Sequence, residues 1–194
     1  IPIFKDMEKE WAILYNLYSS FSNKLIMSED GPVHMTKFRK YFKNKNGENK
    51  LITVAYVRRY FTDIYLEEGE NRYVSSKIYE DFPEMKSFPP ILPLIIGRGM
   101  VHKEEKRKLH FSLLENKILC GNNVKIIRPL EKTLDVNFIL GLINSILIEF
   151  SYKSFVRTYA VRDYEIESLP IVRATPDQQA PIISLVDAII QKKK

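Results

Sequence analysis

Cationic and aromatic side chains alternate in one stretch of this chain, and their chemistry suits a polyanionic partner. The stretch is Lys37-Phe-Arg-Lys-Tyr-Phe-Lys43. Rings at such positions can anchor in a core while the ammonium and guanidinium groups between them face out towards phosphates. An ordinary solvated face has the same spacing, so both interpretations stay open. On the first, the phosphate-binding candidates are Lys37, Arg39, Lys40 and Lys43.

A second cluster of basic residues lies between Arg98 and His110, and its Lys106-Arg-Lys108 run supplies three further phosphate candidates: Lys106, Arg107 and Lys108. Residues 102–108 are mixed in sign, so this stretch also suits a plain surface loop. The whole chain has a net charge of +6, which favours a polyanionic partner only modestly. Acidic residues collect elsewhere, around 67–70 and 80–84, and this segregation indicates a one-sided electrostatic footprint.

Arginines that could read base edges form a third group. Arg58 and Arg59 end a predicted strand, so one can reach DNA while the other pairs with an acidic neighbour. A rigid support suits base reading, because bidentate pairing of arginine with guanine needs fixed geometry. Such a support is expected after the most buried predicted helix. The base-reading candidates are Arg58, Arg59, Arg98, Arg157 and Arg162. The apolar residues near the last two are predicted to be core: Phe155, Val156, Tyr159 and Val161.

Residue patterns for catalysis are largely absent. The sequence has no glycine-rich phosphate loop, and its three histidines and single Cys120 lack the spacing of a zinc site. Neither the Asn-Pro-Pro-Tyr motif nor the cofactor loop of a methyltransferase occurs. Glu84-Met-Lys86, with Asp63 or Asp81 upstream, matches a metal-dependent nuclease pattern, but it lies in a proline-rich stretch instead of a strand. We therefore predict no catalytic residue and no metal site, and keep a nuclease as the least favoured alternative.

The bulk properties fit one soluble domain. The chain has 194 residues and is 45% hydrophobic, enough to form a core. Its longest apolar run, residues 138–148, is too short for a bilayer, and no signal peptide is visible. A single cysteine fits a reducing cytoplasm. Because the chain begins at Ile1, we expect it to be part of a longer protein whose remainder holds the activity.

The order of predicted elements indicates an α+β fold, with a mixed, twisted β-sheet flanked by helices. Amphipathic spacing predicts an N-terminal helix from Asp6 to about Met27, ended by the turn signal at 28–32. The predicted organisation is an N-terminal helical segment (1–30), a central α+β domain (31–172) and a C-terminal amphipathic helix packed on it (173–194).

Within the central part, composition predicts strands over 51–61, 91–96 and 168–172, the last as an edge strand. Residues 117–120 and 124–127 are predicted to pair as a hairpin or a bent pair of strands. One buried helix is expected from a cap at Asp135 to about Tyr152. The last helix is expected to open with Thr175-Pro176.

Several segments of the last third resemble one protein family in their order and spacing. Gly141-Leu-Ile-Asn-Ser145 resembles the Leu-Leu-Asn-Ser helix of the TaqI-like C-terminal specificity domains, and Glu167-Ser-Leu-Pro-Ile171 resembles the strand after it. Residues 122–129 are similar to the preceding strand, and the helix with Asp177-Gln-Gln179 is similar to the closing helix. These domains are the target-recognition domains of bacterial restriction-modification enzymes and adenine-specific DNA methyltransferases.

The resemblance implies a domain that recognises a sequence in double-stranded DNA and performs no chemistry itself. The methyltransferase domain, with or without a nuclease, would be another part of the same polypeptide. That part would bind S-adenosylmethionine and any Mg²⁺, so no cofactor is expected in this chain. In the family the duplex runs between the two domains while the target adenine is flipped out. Residues 53–111 depart most from the family, so its DNA-reading residues cannot be transferred.

The resemblance also bears on two polar residues of the predicted buried helix. The segments that carry it would be scaffold, so Asn144 and Ser145 are expected to make hydrogen bonds inside the fold. The competing function for the whole chain is a protein-interaction or assembly domain whose basic face binds an acidic partner.

Overall fold

The fold is α+β, as the sequence predicts. The computed structural model describes residues 24–43, 49–63, 73–89, 91–156 and 158–193. The strands are β1 (Ile26–Asp30), β2 (Phe42–Lys43), β3 (Asn49–Ile52), β4 (Tyr73–Val74), β5 (Leu94–Arg98), β6 (Phe111–Leu114), β7 (Leu119–Cys120) and β8 (Val124–Pro129). The α-helices are α1 (Lys77–Asp81), α2 (Val136–Ile143), α3 (Ile146–Phe155), α4 (Asp163–Glu167) and α5 (Pro176–Gln191). Short 3₁₀ helices cover Arg39–Tyr41, Val54–Tyr56 and Pro83–Ser87.

The first sheet is antiparallel and has the strand order β1-β8-β5-β6. At its centre, β5 and β8 are apolar on both faces because both faces are covered. Ile95 and Ile127, paired across β5 and β8, belong to the core shared with the α-helices. Ile96 and Ile126, the next pair, belong to a core shared with the second sheet. This sheet is therefore the central layer of the molecule.

The second sheet is smaller and mixed, with the order β2-β4-β3-β7. Strands β3 and β7 run parallel, pairing Leu51 with Leu119. These two leucines are buried in a third cluster with Phe38, Ile78 and Met85. Phe38 precedes the first 3₁₀ helix, Ile78 belongs to α1 and Met85 belongs to the third 3₁₀ helix. Two sheets thus replace the single sheet expected from the sequence.

Helix α5 lies against α2. A Cβ atom added to Gly141 of α2 would lie 2.7 Å from Ile182 Cγ2 and 2.9 Å from Val186 Cγ2, so the two helices approach closely. Gln179 of α5, only 1% exposed, accepts a hydrogen bond from Asp135 N at 2.8 Å and donates to the carbonyls of Thr133 and Ala174 at 2.8 Å each. The start of α2 is therefore fixed to α5.

The long helix predicted from Asp135 is two helices in the structure, α2 and α3, which meet at a bend of 58°. Asp135 caps the first helix as expected, accepting from Asn137 N at 2.7 Å and Phe138 N at 3.3 Å. Ser145 caps the second, its hydroxyl accepting from Ile148 N at 3.2 Å. The prediction of one helix was wrong because an apolar run does not reveal a polar pair that caps a new helix.

The predicted hairpin of 117–120 and 124–127 was also wrong. Strand β7 pairs with β3 in the second sheet, whereas β8 pairs with β1 and β5 in the first. The short connection through Gly121 thus crosses between sheets. Gly121 N donates to Ile52 O at 2.8 Å and Val124 N donates to Gly121 O at 2.9 Å, which turns the chain between them.

Other boundaries moved. The strand predicted over 51–61 ends at Ile52 and gives way to the 3₁₀ helix Val54–Tyr56. The edge strand expected at 168–172 is irregular backbone. Residues 6–23 of the predicted N-terminal helix lie outside the described residues. Its last residues, Ile26 and Met27, begin strand β1, and the expected turn at 28–30 continues that strand.

We expect Gly141→Ala to lower the free energy of unfolding by about 1–3 kcal/mol, because the added methyl group would overpack the contact between α2 and α5. Chemical denaturation measures this. Ser184→Ala, at an exposed position of α5, is the matched control and should change stability by less than about 0.5 kcal/mol. A glycine variant more stable than the native chain would contradict the close packing.

Candidate nucleic-acid interface

Asn144, at the bend between α2 and α3, is hydrogen-bonded to strand β6. Its side-chain oxygen accepts from Phe111 N at 3.2 Å, and its amide nitrogen donates to Phe111 O at 2.9 Å. Its carbonyl accepts from Arg59 Nη2 at 2.6 Å. The residue is 1% exposed, so these polar groups are used for hydrogen bonds inside the fold. The expectation that Asn144 and Ser145 make internal hydrogen bonds is confirmed.

Glu149 of α3 attaches the loop 99–110 to this helix. It is 2% exposed, and its carboxylate accepts from Lys108 N at 2.7 Å and from Leu109 N at 2.9 Å. Lys153 Nζ lies 3.0 Å from the same carboxylate. Two charge-assisted hydrogen bonds and an ion pair compensate the burial of this charge. The loop is therefore held to a rigid element at its C-terminal end.

Two lysines near this loop are used to hold it. Lys153 Nζ also donates to Lys106 O. Lys108 Nζ donates to the carbonyls of His102 at 3.1 Å and Lys103 at 3.3 Å, and it lies 5.6 Å from the centre of the Tyr159 ring. Of the three phosphate candidates here, Lys108 therefore already uses its ammonium group for hydrogen bonds within the loop.

Of the three phosphate candidates in this loop, Lys106 and Arg107 remain available. The Lys106 side chain is exposed and that of Arg107 is half-buried. Neither side chain has a hydrogen bond or an ion pair within the ranges that the structure describes. Both can therefore bind an external anion without first losing an internal partner.

A short ladder joins the loop to the segment before α4. Val101 N donates to Tyr159 O at 3.0 Å and Val161 N donates to Gly99 O at 2.9 Å. Arg162 follows directly and is exposed. Because this ladder is antiparallel, the loop residues after Val101 extend towards the chain before Tyr159, whereas Arg162 lies at the Gly99 end. Of the loop candidates, Lys108 lies beside this segment, with its Nζ 5.6 Å from the centre of the Tyr159 ring. Arg157 lies outside the described residues.

The position of Arg162 is fixed by helix α4, which begins at the next residue. The backbone N–H of Arg162 donates to Glu165 Oε2 at 2.8 Å, and the same buried carboxylate accepts from Tyr152 OH at 2.9 Å. Helix α4 is held in turn by Lys125, which lies 3.0 Å from Asp163 and 2.7 Å from Asp30. Burial lowers the pKa of Lys125, but hydrogen bonds with these two carboxylates outweigh it and raise the pKa. The guanidinium group of Arg162 thus projects from a rigid backbone.

Aromatic rings are exposed beside these cations. Tyr159 is 46% exposed and Phe155 is 44% exposed. The prediction that both are core was wrong, whereas it was right for Val161, which is 2% exposed. A sequence pattern cannot separate these cases, because the ladder to Gly99 decides which side chain turns inwards. We call Lys106, Arg107 and Tyr159 the loop surface.

Arg98 and Arg58 have internal partners. Arg98 Nε donates to Val57 O at 2.6 Å, and its Nη1 lies 3.0 Å from Glu105 Oε1. Arg58 Nε lies 2.7 Å from Asp63 Oδ2, the acidic neighbour expected for one arginine of the pair 58–59. Burial lowers the pKa of Arg98, and the Glu105 carboxylate opposes that shift. In this arrangement base reading by either arginine would require it to exchange partners.

Arg59 is also turned inwards. Beyond its bond to Asn144, its guanidinium carbon lies 5.4 Å from the centre of the Tyr60 ring. Tyr60 adopts a left-handed backbone conformation (φ 71°) and donates from its N–H to Phe111 O at 2.8 Å. Arg59 thus supports the bend between α2 and α3 in this structure, and its reading of bases stays a prediction.

The first basic segment shows the alternation that the sequence predicts. Phe38 and Tyr41 are buried at 5% and 4% exposure, whereas Lys37, Arg39 and Lys40 are exposed. The ammonium group of Lys40 lies 4.8 Å from the centre of the Tyr41 ring. Lys43 belongs to β2. The anchored rings and outward cations are compatible with phosphate binding and equally with a solvated face.

The nuclease pattern does not assemble in the described residues. Glu84 and Lys86 lie in the 3₁₀ helix Pro83–Ser87, Asp81 accepts a hydrogen bond from Tyr41 OH, and Asp63 pairs with Arg58. No group of three or more His, Cys, Asp or Glu residues in these ranges is placed to hold a metal ion.

Sequence reasoning missed Glu149 and Lys153. Their spacing of four residues on a predicted helix was visible, and it is typical of an ordinary surface ion pair. What makes the carboxylate important is its contact with the backbone of Lys108 and Leu109, about forty residues away. Only the tertiary structure brings these groups together.

Comparison with known proteins identifies similarity to a solved structure and no match among family models or curated proteins. A solved structure described as "Structural basis underlying complex assembly and conformational transition of the type I R-M system" contains a similar chain, with a TM-score of 0.46 and 10% sequence identity. The match covers 98% of this chain and 47% of that one, so this chain spans about half the length of the solved chain it matches.

No individual helix in the described ranges is long and apolar enough to cross a bilayer. Among the helices that the structure describes, only α2 and α3 taken together, across their bend, reach the required length and composition.

We expect Glu149→Gln to destabilise the chain by about 1–3 kcal/mol, because one amide oxygen cannot replace a carboxylate that serves two buried N–H groups and an ammonium group. Amide hydrogen exchange should accelerate at Lys108 and Leu109 more than in β5. Glu131→Gln is the control, since its ion pair with Arg173 is at the surface and should contribute less than about 1 kcal/mol. Unchanged exchange at both amides would refute the attachment of the loop.

Proposed function

We propose that this chain is the sequence-specific DNA-recognition domain of a bacterial restriction-modification enzyme of the adenine-modifying kind. It performs no chemistry of its own. On this proposal the catalytic domain, with or without a nuclease, belongs to the same polypeptide in the cytoplasm, and S-adenosylmethionine and any Mg²⁺ bind there.

The observation that carries the proposal is the loop surface. Lys106 and Arg107 have no internal partner among the described residues. Arg162, at the Gly99 end of the ladder, lies on backbone that Glu165 and Lys125 hold in place. Phosphate contacts position a protein on DNA, and rigidly held arginines can specify bases. The free cations and exposed ring of the loop surface, together with the fixed Arg162, supply both components. The sequence resemblance to specificity domains supports the same function independently.

The proposed roles depend on these positions. Phosphate contacts come from Lys37, Arg39, Lys40, Lys106 and Arg107, with Lys43 and Lys108 as further candidates. Among the base-reading candidates Arg162 is the first to test, because it is exposed. Arg58, Arg59 and Arg98 read bases only if duplex binding releases them from Asp63, Asn144 and Glu105.

A second candidate function is favoured by the outer face of α3. Ile146, Leu147 and Phe150 are 68%, 70% and 73% exposed, although they are large and apolar. Exposed apolar residues on one face of a helix are typical of a contact with another protein or domain. This contact can accompany DNA recognition, in which case the partner is the methyltransferase domain, or it can be the function itself.

Salt dependence tests the proposal. If about five phosphates are neutralised, the logarithm of the duplex affinity should fall with the logarithm of salt concentration at a slope of roughly −4.5. The double variant Lys106→Ala/Arg107→Ala should make the slope shallower by about 1.8. Fluorescence anisotropy with a labelled duplex measures both.

The matched control is Lys132→Ala/Lys192→Ala, which removes the same charge from two exposed positions elsewhere and should leave the slope unchanged. An equal effect of both double variants would show that only net charge matters. Absence of duplex binding, together with binding of an acidic protein, would favour the interaction domain instead.

Sequence choice tests Arg162 separately. Arg162→Ala should weaken discrimination at one base pair by about 1–3 kcal/mol, since a bidentate contact to guanine is lost. Selection of bound duplexes from a randomised pool, before and after the change, provides the measurement. A uniform loss of affinity for all sequences would instead assign Arg162 to a phosphate.

A further inference from the structure

A cleft of about 540 Å³ lies away from the loop surface, against the second sheet. Its walls come from the residues after β1, from the 3₁₀ helix Pro83–Ser87 and from the end of β8. The volume is in the range of ligand-binding clefts and suits one nucleotide. None of the residues of the loop surface lines this cleft.

The apolar part of the cleft is aromatic and fixed in orientation. Phe38, Phe82 and Phe88 line it. Phe38 is buried, whereas Phe82 and Phe88 are half-buried and keep part of their rings open. Phe82 is locked by an edge-on contact with Phe38, with ring centres 4.8 Å apart at 80°. Flat surfaces of this kind accept a planar ring with little loss of side-chain freedom.

The polar part offers both donors and an acceptor. Lys37 Nζ lies 5.2 Å from the centre of the Phe38 ring and 5.5 Å from that of Phe82, so its charge lies at the edge of the aromatic wall. Arg128 pairs with Glu29 through one terminal nitrogen, while its Nε is buried and has no hydrogen-bond partner among the described residues. Glu84 contributes an exposed carboxylate.

These charges nearly cancel, because Glu29 and Glu84 offset Lys37 and Arg128. A site for a bare anion would be more positive. A nucleobase fits the mixture better, since it is flat and has donors and acceptors along its edge. The adjoining segment adds Arg39 and Lys40, which are exposed and suit the phosphates on either side of that base.

We propose that this cleft binds one unpaired nucleotide of a DNA strand, with its base against Phe82 and Phe88 and its phosphate near Lys37. The inference rests on the proposed nucleic-acid binding and adds that the domain prefers DNA in which a base is already unpaired. A paired base would first have to leave the stack, and a bulged base avoids that cost.

Anisotropy with two duplexes of the same sequence, one perfect and one with a single bulged nucleotide, tests this. The bulged duplex should bind about 5- to 150-fold tighter, the range expected for stacking of one base on an aromatic ring. Phe82→Leu should reduce that preference to less than about threefold while leaving affinity for the perfect duplex unchanged. Thermal unfolding checks that this variant folds.

A second variant covers the case in which Phe82→Leu fails to fold. Glu84→Gln, at an exposed position, should change which bulged base is preferred, whereas the control Glu80→Gln, exposed on α1, should not. Equal affinity for both duplexes would overturn the cleft proposal and leave the proposed function standing. Binding of neither duplex would overturn both. Displacement of the bulged duplex by an equimolar acidic peptide would assign the cleft to a protein partner and overturn it as well.

Discussion

The positions of the surrounding elements depend on the paired hydrogen bonds between the Asn144 side chain and the backbone of Phe111, at the bend between α2 and α3. They attach the end of α2 to the edge strand of the first sheet, and Ser145 then starts α3 in a new direction. Without that change of direction Glu149 would not reach the amides of Lys108 and Leu109. The loop surface therefore depends on one buried amide group. Such a buried amide tolerates substitution poorly, because removing one partner leaves buried donors and acceptors without hydrogen bonds.

Local chemistry was predictable from the sequence and distant pairing was not. The caps at Asp135 and before Pro176, the buried strand near 94–98 and the inward rings of the first basic segment depend on neighbours within a few residues. The partners of β7 and β8 depend on strands that lie far away in the chain, so a short glycine-containing connection was interpreted as a hairpin. The N-terminal boundary failed for a related reason. Ile26 and Met27 continue an apolar pattern, but β8 recruits them into a sheet.

The candidate site was predictable in kind and only partly in detail. Charge segregation indicated which segments are cationic, and the structure shows which of their cations are exposed. Sequence could not distinguish cations that hold the protein together from cations that are available. Lys108, Arg59 and Arg98 belong to the first group and Lys106, Arg107 and Arg162 to the second, because the carbonyl and carboxylate groups that decide this come from other elements.

The attachment of the loop between Val101 and Leu109 has an evolutionary consequence. Backbone hydrogen bonds fix both of its ends, one to Tyr159 and the other to Glu149, and both faces of the sheet beneath it are already covered. Apart from Glu105, which pairs with Arg98 of β5, residues between the two anchors can therefore be lengthened, shortened or replaced without disturbing the layers below. Related proteins with this fold can therefore diverge in the sequence and length of this loop while the sheets and helices stay constant.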